Sequence, residues 1–289
     1  MNSLNQSEDI QRSWQTLAQE LKEDQISKTF VLVLIKICYQ KDEIQSPLRI
    51  VVELQKVMKY PKLIEFILEN EDINSKITIK DLEDITPIHL AACYGLTATV
   101  VKLSQKYDSS NIQTEKDGDT PLICAAYMGH LETVKIFAGV SDLNASDKHG
   151  HTPIYVAALK GHTEIVKFLA PRVQNPNAPG PTGFSPIHEA AFGGHVKVVE
   201  YLSKFTENPN AIGPDGYSPL QEAAIVGHAP VVKFLSKFTE NPNAPDPLGR
   251  TPLKVATQKN HHEVVQVLLQ ALLEKYPSNP QAICNNLAI

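Results

Sequence analysis

Thr86-Pro87-Ile88-His89-Leu90-Ala91-Ala92 is the stretch from which the architecture of this 289-residue chain can be read. A threonine before a proline suits a helix start: the hydroxyl accepts from free amides of the first turn, and proline fits the first helical position, where its missing N–H is not needed. The stretch recurs. Thr or Ser, then Pro, then Ile or Leu stands at Pro87, Pro121, Pro153, Pro186, Pro219 and Pro252, with successive spacings of 34, 32, 33, 33 and 33 residues. Such a period marks a repeat array. A unit of this size cannot bury an apolar face alone, so it stacks on its neighbours and exposes a long surface suited to contact.

Outward from the proline, each unit repeats its punctuation. Paired alanines (Ala91-Ala92, Ala125-Ala126, Ala157-Ala158, Ala190-Ala191, Ala223-Ala224) keep one helix thin enough for its neighbours to approach. Eight residues past each proline come Gly95, Gly129, Gly161, Gly194 and Gly227, and finally Asn260. Glycine ends a helix at positive φ, and asparagine is the side chain best able to replace it there. A second amphipathic segment follows, as in Thr163-Glu164-Ile165-Val166-Lys167-Phe168-Leu169, then Asn177-Ala178 and a turn ending in Gly183. The unit is helix, helix, turn.

These residues, repeated in register over about residues 80 to 272, resemble the ankyrin repeat family, whose motif pairs a TPLHLAA-like helix and a Gly-His with a second helix and an Asn-Ala before a β-turn. The resemblance implies an all-α solenoid of stacked helix-turn-helix units with β-turn or hairpin fingers, preceded by an N-terminal helical extension. Repeat two departs from the motif with Ile123-Cys124, and the last has Thr257 for its second alanine. The decapeptide LSKFTENPNA occurs twice, at Leu202–Ala211 and Leu235–Ala244, and reads as duplicated scaffold.

The ends are irregular. Ile10, Trp14, Leu17 and Leu21 follow helical spacing, so residues 1–45 form the helical extension. Residues 46–79 read as a degenerate capping repeat beginning at Ser46-Pro47, residues 80–276 as the array, and 277–289 as a flexible tail. Its terminal Leu287-Ala288-Ile289 has the apolar, any, apolar form accepted by strand-adding carboxylate pockets of the PDZ type.

Composition excludes several classes. A net charge of −5 and a pI near 6.1 disfavour a nucleic-acid backbone as partner. Lys36 interrupts the apolar run from Phe30 well short of a membrane span, and no early apolar core marks a secretory signal. The expected location is the cytoplasm or the nucleus. Cys38, Cys93, Cys124 and Cys284 show no CxxC, which argues for reduced structural thiols and against zinc. No phosphate loop, nucleophile elbow or HExxH occurs, so no catalytic residue, metal or cofactor is expected. His149 and His151 form a pair without a third ligand nearby, and Glu189 and Glu222 occupy matching slots that read as a solvated acidic patch.

Function is expected on the concave face. Carrying the family's exposed positions onto this chain gives Ile85, Cys93 and Tyr94 in the first full repeat and Asp117, Asp119, Tyr127 and Met128 in the second. Lys148, His149, His151, Leu159 and Lys160 follow in the third, with Phe184, Glu189 and Phe192 in the fourth. Tyr217, Glu222, Ile225 and Val226 come from the fifth and Arg250 from the sixth. Many are aromatic or apolar, which suits protein or peptide contact, while Lys148 and Lys160 followed by Glu189 and Glu222 suggest a basic-to-acidic gradient. The reading is a non-enzymatic adaptor, scaffold or inhibitor. Two alternatives stand beside it. Asn144, Asn177, Asn210 and Asn243 match the family asparagine that asparaginyl hydroxylases modify, and the atypical residues 1 to 79, with the lone Trp14, could carry a specific activity that the array delivers.

Overall fold

A computed structural model of the chain describes residues 77–79, 82–106, 112–114, 117–180 and 182–277. The readings placed on residues 1–45, on most of 46–79, and on 278–289 with Leu287, Ala288 and Ile289 lie outside these residues. The first described elements are strands β1 (Ile77–Ile79) and β2 (Leu82–Ile85), an antiparallel ribbon with Ile77 opposite Ile85. The ribbon links the segment assigned to the capping repeat with the array.

Twelve α-helices follow among the described residues, in six pairs. The inner member of each pair starts at a repeated proline: α1 (Pro87–Cys93), α3 (Pro121–Met128), α5 (Pro153–Leu159), α7 (Pro186–Phe192), α9 (Pro219–Val226) and α11 (Pro252–Gln258). The outer members are α2 (Thr97–Lys106), α4 (Leu131–Phe137), α6 (Thr163–Leu169), α8 (Val196–Leu202), α10 (Ala229–Leu235) and α12 (His262–Lys275). Each inner helix packs on the next inner helix, and each outer helix on the next outer one. The reason for the alanine pairs is then plain: all ten are fully inaccessible at 0% exposure, sealed between successive inner helices. A larger side chain there would force the stack apart, at a cost of about 1–3 kcal/mol. Behind them the outer helices contribute Val134, Phe137, Val166, Leu169, Val199, Leu202, Val232 and Leu235 to one continuous core.

Three side-chain ladders lock the repeats in register. The first joins each glycine to a histidine one repeat on. Gly95, Gly129, Gly161, Gly194 and Gly227 all have positive φ, between 66° and 105°, and Asn260 at 61° is the one non-glycine residue of that kind among the described residues. Positive φ is half of the requirement. A Cβ on Gly161 would fall 2.4 Å from Nδ1 of His195, and the other four would meet His130, His162, His228 and His261 within 2.8 Å. Those rings lie under the glycines because each Nε2 bonds a carbonyl closing the preceding inner helix: His130 to Cys93, His162 to Tyr127, His195 to Leu159, His228 to Phe192 and His261 to Ile225, at 2.9–3.2 Å. Among the described residues no further repeat follows Asn260, so no ring crowds it and a side chain fits.

The second ladder starts at the fourth position of the proline motif. His89 bonds Thr86 Oγ1 through Nδ1 at 2.8 Å and the Asp119 carbonyl through Nε2 at 2.9 Å, and His188 makes the same pair with Ser185 and Ala211. The hydroxyls of Thr86 and Ser185 are therefore turned to imidazole, whereas Thr120, Thr152, Ser218 and Thr251 accept from first-turn amides as expected from the sequence. Gln221 reproduces the histidine in the fifth repeat, accepting from Ser218 N at 2.7 Å and donating to the Ala244 carbonyl at 3.0 Å.

The third ladder uses the loop asparagines. Oδ1 of Asn177, Asn210 and Asn243 accepts from the amides of Ile187, Leu220 and Leu253 at 2.9–3.1 Å, satisfying an otherwise free donor in the next inner helix. The duplicated decapeptides fold alike: in both, the first asparagine (Asn208 or Asn241) accepts from an amide two residues on at 3.0 Å. Beyond the opening ribbon the fingers are tight turns, closed by pairs such as Asp147 N to His151 O and Gly213 N to Tyr217 O.

Candidate functional site

Inner helices and finger turns together form the concave side, and over the first three repeats they enclose a pocket of about 570 Å³. Its floor is apolar. Leu90, Cys93 and Tyr94 come from the end of α1, Ile123, Cys124, Tyr127 and Met128 from α3, and Val156 and Leu159 from α5. Its rim is polar, made by Asp117 and Asp119 before α3 and by Asp147, His149 and His151 from the next finger. Nine residues singled out from sequence thus converge: Cys93, Tyr94, Asp117, Asp119, Tyr127, Met128, His149, His151 and Leu159. Tyr127 and Met128 expose 43% and 48% of their surface, a large exposure for apolar groups.

The rim is electrostatically tense. Asp147 Oδ1 accepts from His151 N at 2.7 Å and Oδ2 pairs with His151 Nδ1 at 2.9 Å. His151 also stacks on Tyr155 at 4.8 Å, so it is a held part of the finger. His149 Nε2 stands 3.7 Å from Asp117 Oδ1. Asp119 fares differently: its amide bonds Thr114 Oγ1 and its carbonyl takes the His89 ring, but no described side chain bonds its carboxylate. Burial first, then the neighbouring Asp147 and Asp117, pushes its pKa up to about 6, against a partial offset from His151 and His149. On the floor, the Cys124 thiol is raised by its hydrogen bond to Cys93 and by burial, which keeps it protonated. Among the described residues no group of three or more His, Cys, Asp or Glu side chains is placed to hold a metal.

The other sequence-predicted residues lie elsewhere. Lys160 Nζ sits 4.3 Å above the Tyr127 ring, a cation–π contact at the pocket's edge. Ile85 closes β2. Phe184 is half-buried against the edge of the His188 ring at 5.9 Å, while Phe192, 55% exposed, and Val226 face outward and Ile225 is half-buried. Arg250 is tied to Asp246 through Nε at 2.8 Å and donates to the Tyr217 hydroxyl, so both residues of that pair cross-link the last fingers. Glu189 accepts from Tyr155 OH at 2.6 Å. Glu222 corrects the picture of a solvated acidic patch: its Oε2 is buried without a described partner, and desolvation, followed by Asp215 and Glu189, lifts its pKa to about 8. The gradient also changes shape, because Asp117, Asp119 and Asp147 place a second acidic group at the opposite end from Glu189 and Glu222.

Tyr155 and Asp147 escaped sequence reading. Tyr155 occupies the histidine slot of its repeat, and Asp147 precedes a finger tip as Asp246 does. The loop asparagines are building material in three cases out of four, with Asn243 only 4% exposed; Asn144 is exposed, and its amide bonds Asp142 Oδ1 at 2.9 Å.

A stack of helix pairs joined by register ladders, with variable side chains on one concave strip, defines a repeat scaffold for macromolecular contact. The chain belongs to the ankyrin repeat family: the family model for ankyrin repeats (3 copies) matches residues 54–147, 136–212 and 204–279. Such domains are in general protein-interaction modules. Among solved structures, the chain is similar to an ankyrin repeat domain from Acinetobacter baumannii AYE, with 26% identity and a TM-score of 0.56, over 64% of this chain and 97% of that one. No curated protein is a significant match. Among the described residues no helix is long and apolar enough to cross a membrane.

Proposed function

We propose that the chain is a non-enzymatic interaction module, an adaptor, scaffold or inhibitor, that docks a protein or peptide on its concave face. The observation that carries this reading is the 570 Å³ pocket on the first three repeats, where the exposed Tyr127 and Met128 stand beside a floor of core side chains. Exposed apolar patches of this kind mark contact surfaces, and tyrosine is a preferred anchor. Phe192 and Val226 extend the strip toward the fifth repeat.

The test is photo-crosslinking from defined positions on the full chain. A photoreactive residue at Met128 should yield adducts that one at Lys135 or Lys167, on the outer helices, does not. Tyr127→Ala with Phe192→Ala should remove the adducts while leaving the urea midpoint unchanged. Adducts confined to the outer helices would refute concave docking, and a large drop in midpoint would make these residues structural.

A further inference from the structure

The pocket on the first three repeats is apolar below and acidic above, and that division names the chemistry of what enters it. We propose, as a deepening of the concave-face reading and resting on it, that the pocket seats an arginine side chain of a partner peptide. Its methylene stem lies on Leu90, Ile123 and Leu159, and its guanidinium faces the carboxylates of Asp119 and Asp117.

The argument is one of uncommitted charge. Both oxygens of Asp147 are spent on His151. Asp117 reaches only a long 3.7 Å contact with His149. Asp119 is fixed through its backbone, bonded to Thr114 and His89, with its carboxylate left to whatever enters the pocket. Burial and two like charges hold that carboxyl at about 6, so an entering cation relieves a repulsion, whereas an anionic group would add to it. The choice of arginine over lysine follows from the floor. Lys160 already places a compact ammonium 4.3 Å above Tyr127, and a planar, weakly hydrated guanidinium stacks beside aromatic rings and pairs two oxygens at once. The volume of about 570 Å³ falls within the roughly 300–1,000 Å³ of ordinary binding pockets and leaves room for an apolar residue next to the arginine.

The experiment uses the full chain and four fluorescent nonapeptide pools, alike in flanks randomised over small and apolar residues, with a central arginine, citrulline, leucine or glutamate. Citrulline keeps the shape of arginine and removes its charge. The arginine pool should bind at least about tenfold more tightly than the citrulline pool at low salt. Asp119→Asn should reduce that ratio to about threefold or less, and Asp117→Ala should weaken it as well. Lowering the pH from about 7.5 to about 5.5 should erode the preference, as Asp119 takes up a proton; the other titratable and charged groups around it are Asp117, Asp147, His149, His151, Lys148 and Lys160, and buried His89 stays neutral. Equal binding of the arginine and citrulline pools, or a ratio that survives both substitutions, overturns the assignment. If that binding is still lost on Tyr127→Ala, docking on the concave face stands without it. Retention of no pool at all counts against both.

Discussion

Replacing Gly161 with alanine brings two separable penalties, and the molecule contains the control for each. The residue has φ +74°, where a side chain costs about 1 kcal/mol. Its Cβ would also lie 2.4 Å from His195 Nδ1, so the ring must move and its 3.1 Å bond to the Leu159 carbonyl is lost. That loss, with a carbonyl left unpaired, adds about 1–2 kcal/mol, for a total near 2–3 kcal/mol. Gly249 has the same φ of +74° and nothing within 4 Å of its would-be Cβ, so Gly249→Ala reports the backbone term alone. His195→Ala removes the obstacle instead. In that background Gly161→Ala should cost no more than Gly249→Ala, an interaction energy of about 1–2 kcal/mol in a double-mutant cycle. Urea unfolding of the full chain reads the totals, and amide exchange on α5 and α7 shows whether the loss is local, since each repeat leans on its neighbours. Equal costs at Gly161 and Gly249, or strict additivity in the cycle, would refute the crowding that the histidine ladder implies.

The remaining predictions concern the other ladders and the buried acid. His89 is buried and held neutral, its pKa lowered to about 4 from 6.5 chiefly by desolvation; the unfolded chain takes up a proton first, so stability is full above about pH 6.5 and falls by roughly 3 kcal/mol toward pH 4. His89→Gln, which copies Gln221, should flatten that acid limb, and an unchanged slope would show the imidazole is not its source. Glu222 has the opposite sign: with its pKa raised from 4.5 to about 8, the folded state holds a proton the unfolded state releases, so stability declines as pH rises through that window. Glu222→Gln should raise stability at pH 8 by about 1–2 kcal/mol, a figure discounted for partial exposure, and coincident wild-type and variant pH curves would contradict it. Asn210→Ala should cost about 1–2 kcal/mol by freeing the Leu220 amide, and Asn243→Ala at least as much; a cost near zero in thermal melts would remove the asparagines from the frame.

What the sequence discloses and what it withholds divide along one physical line. A period equates positions in different repeats, so the start at Pro153, the alanine pair behind it and the stop at Gly161 are legible in a single unit. Contacts between units are not. Gly161 and His195 lie 34 positions apart, and nothing in a single motif says that the ring of one fills the space a side chain on the other would need. The trace was present in one place: the glycine becomes Asn260 where, among the described residues, no histidine of a following repeat stands above it. The same limit governs the site. Tyr94, Asp119, Tyr127 and His151 were recognisable as concave positions, but their convergence on one pocket depends on the stacking of three fingers. Glu222 looks like a surface acid by its neighbours in the chain, yet its carboxylate is buried in the folded stack.

One slot distinguishes the three repeats that line the pocket from the two that follow them. The position after the motif's fourth residue is Leu90, Cys124 and Val156 in the first three repeats, Glu189 and Glu222 in the next two, and Val255 in the last. Small or apolar groups there line the pocket between finger and helix. Glutamate there seeks a donor, which Tyr155 supplies to Glu189 at 2.6 Å, and farther along Arg250 joins Tyr217 to Asp246. Glu189, Tyr217, Asp246 and Arg250 are thus spent on bonds within the array, while Glu222 keeps a buried oxygen without a described partner. The earlier repeats leave Asp119 unspent above an apolar floor. A backbone frame that is nearly uniform from Pro87 to Gln258 is thus differentiated by single side chains, and the end that keeps both apolar area and an uncommitted carboxylate is the one to which the proposed docking is assigned.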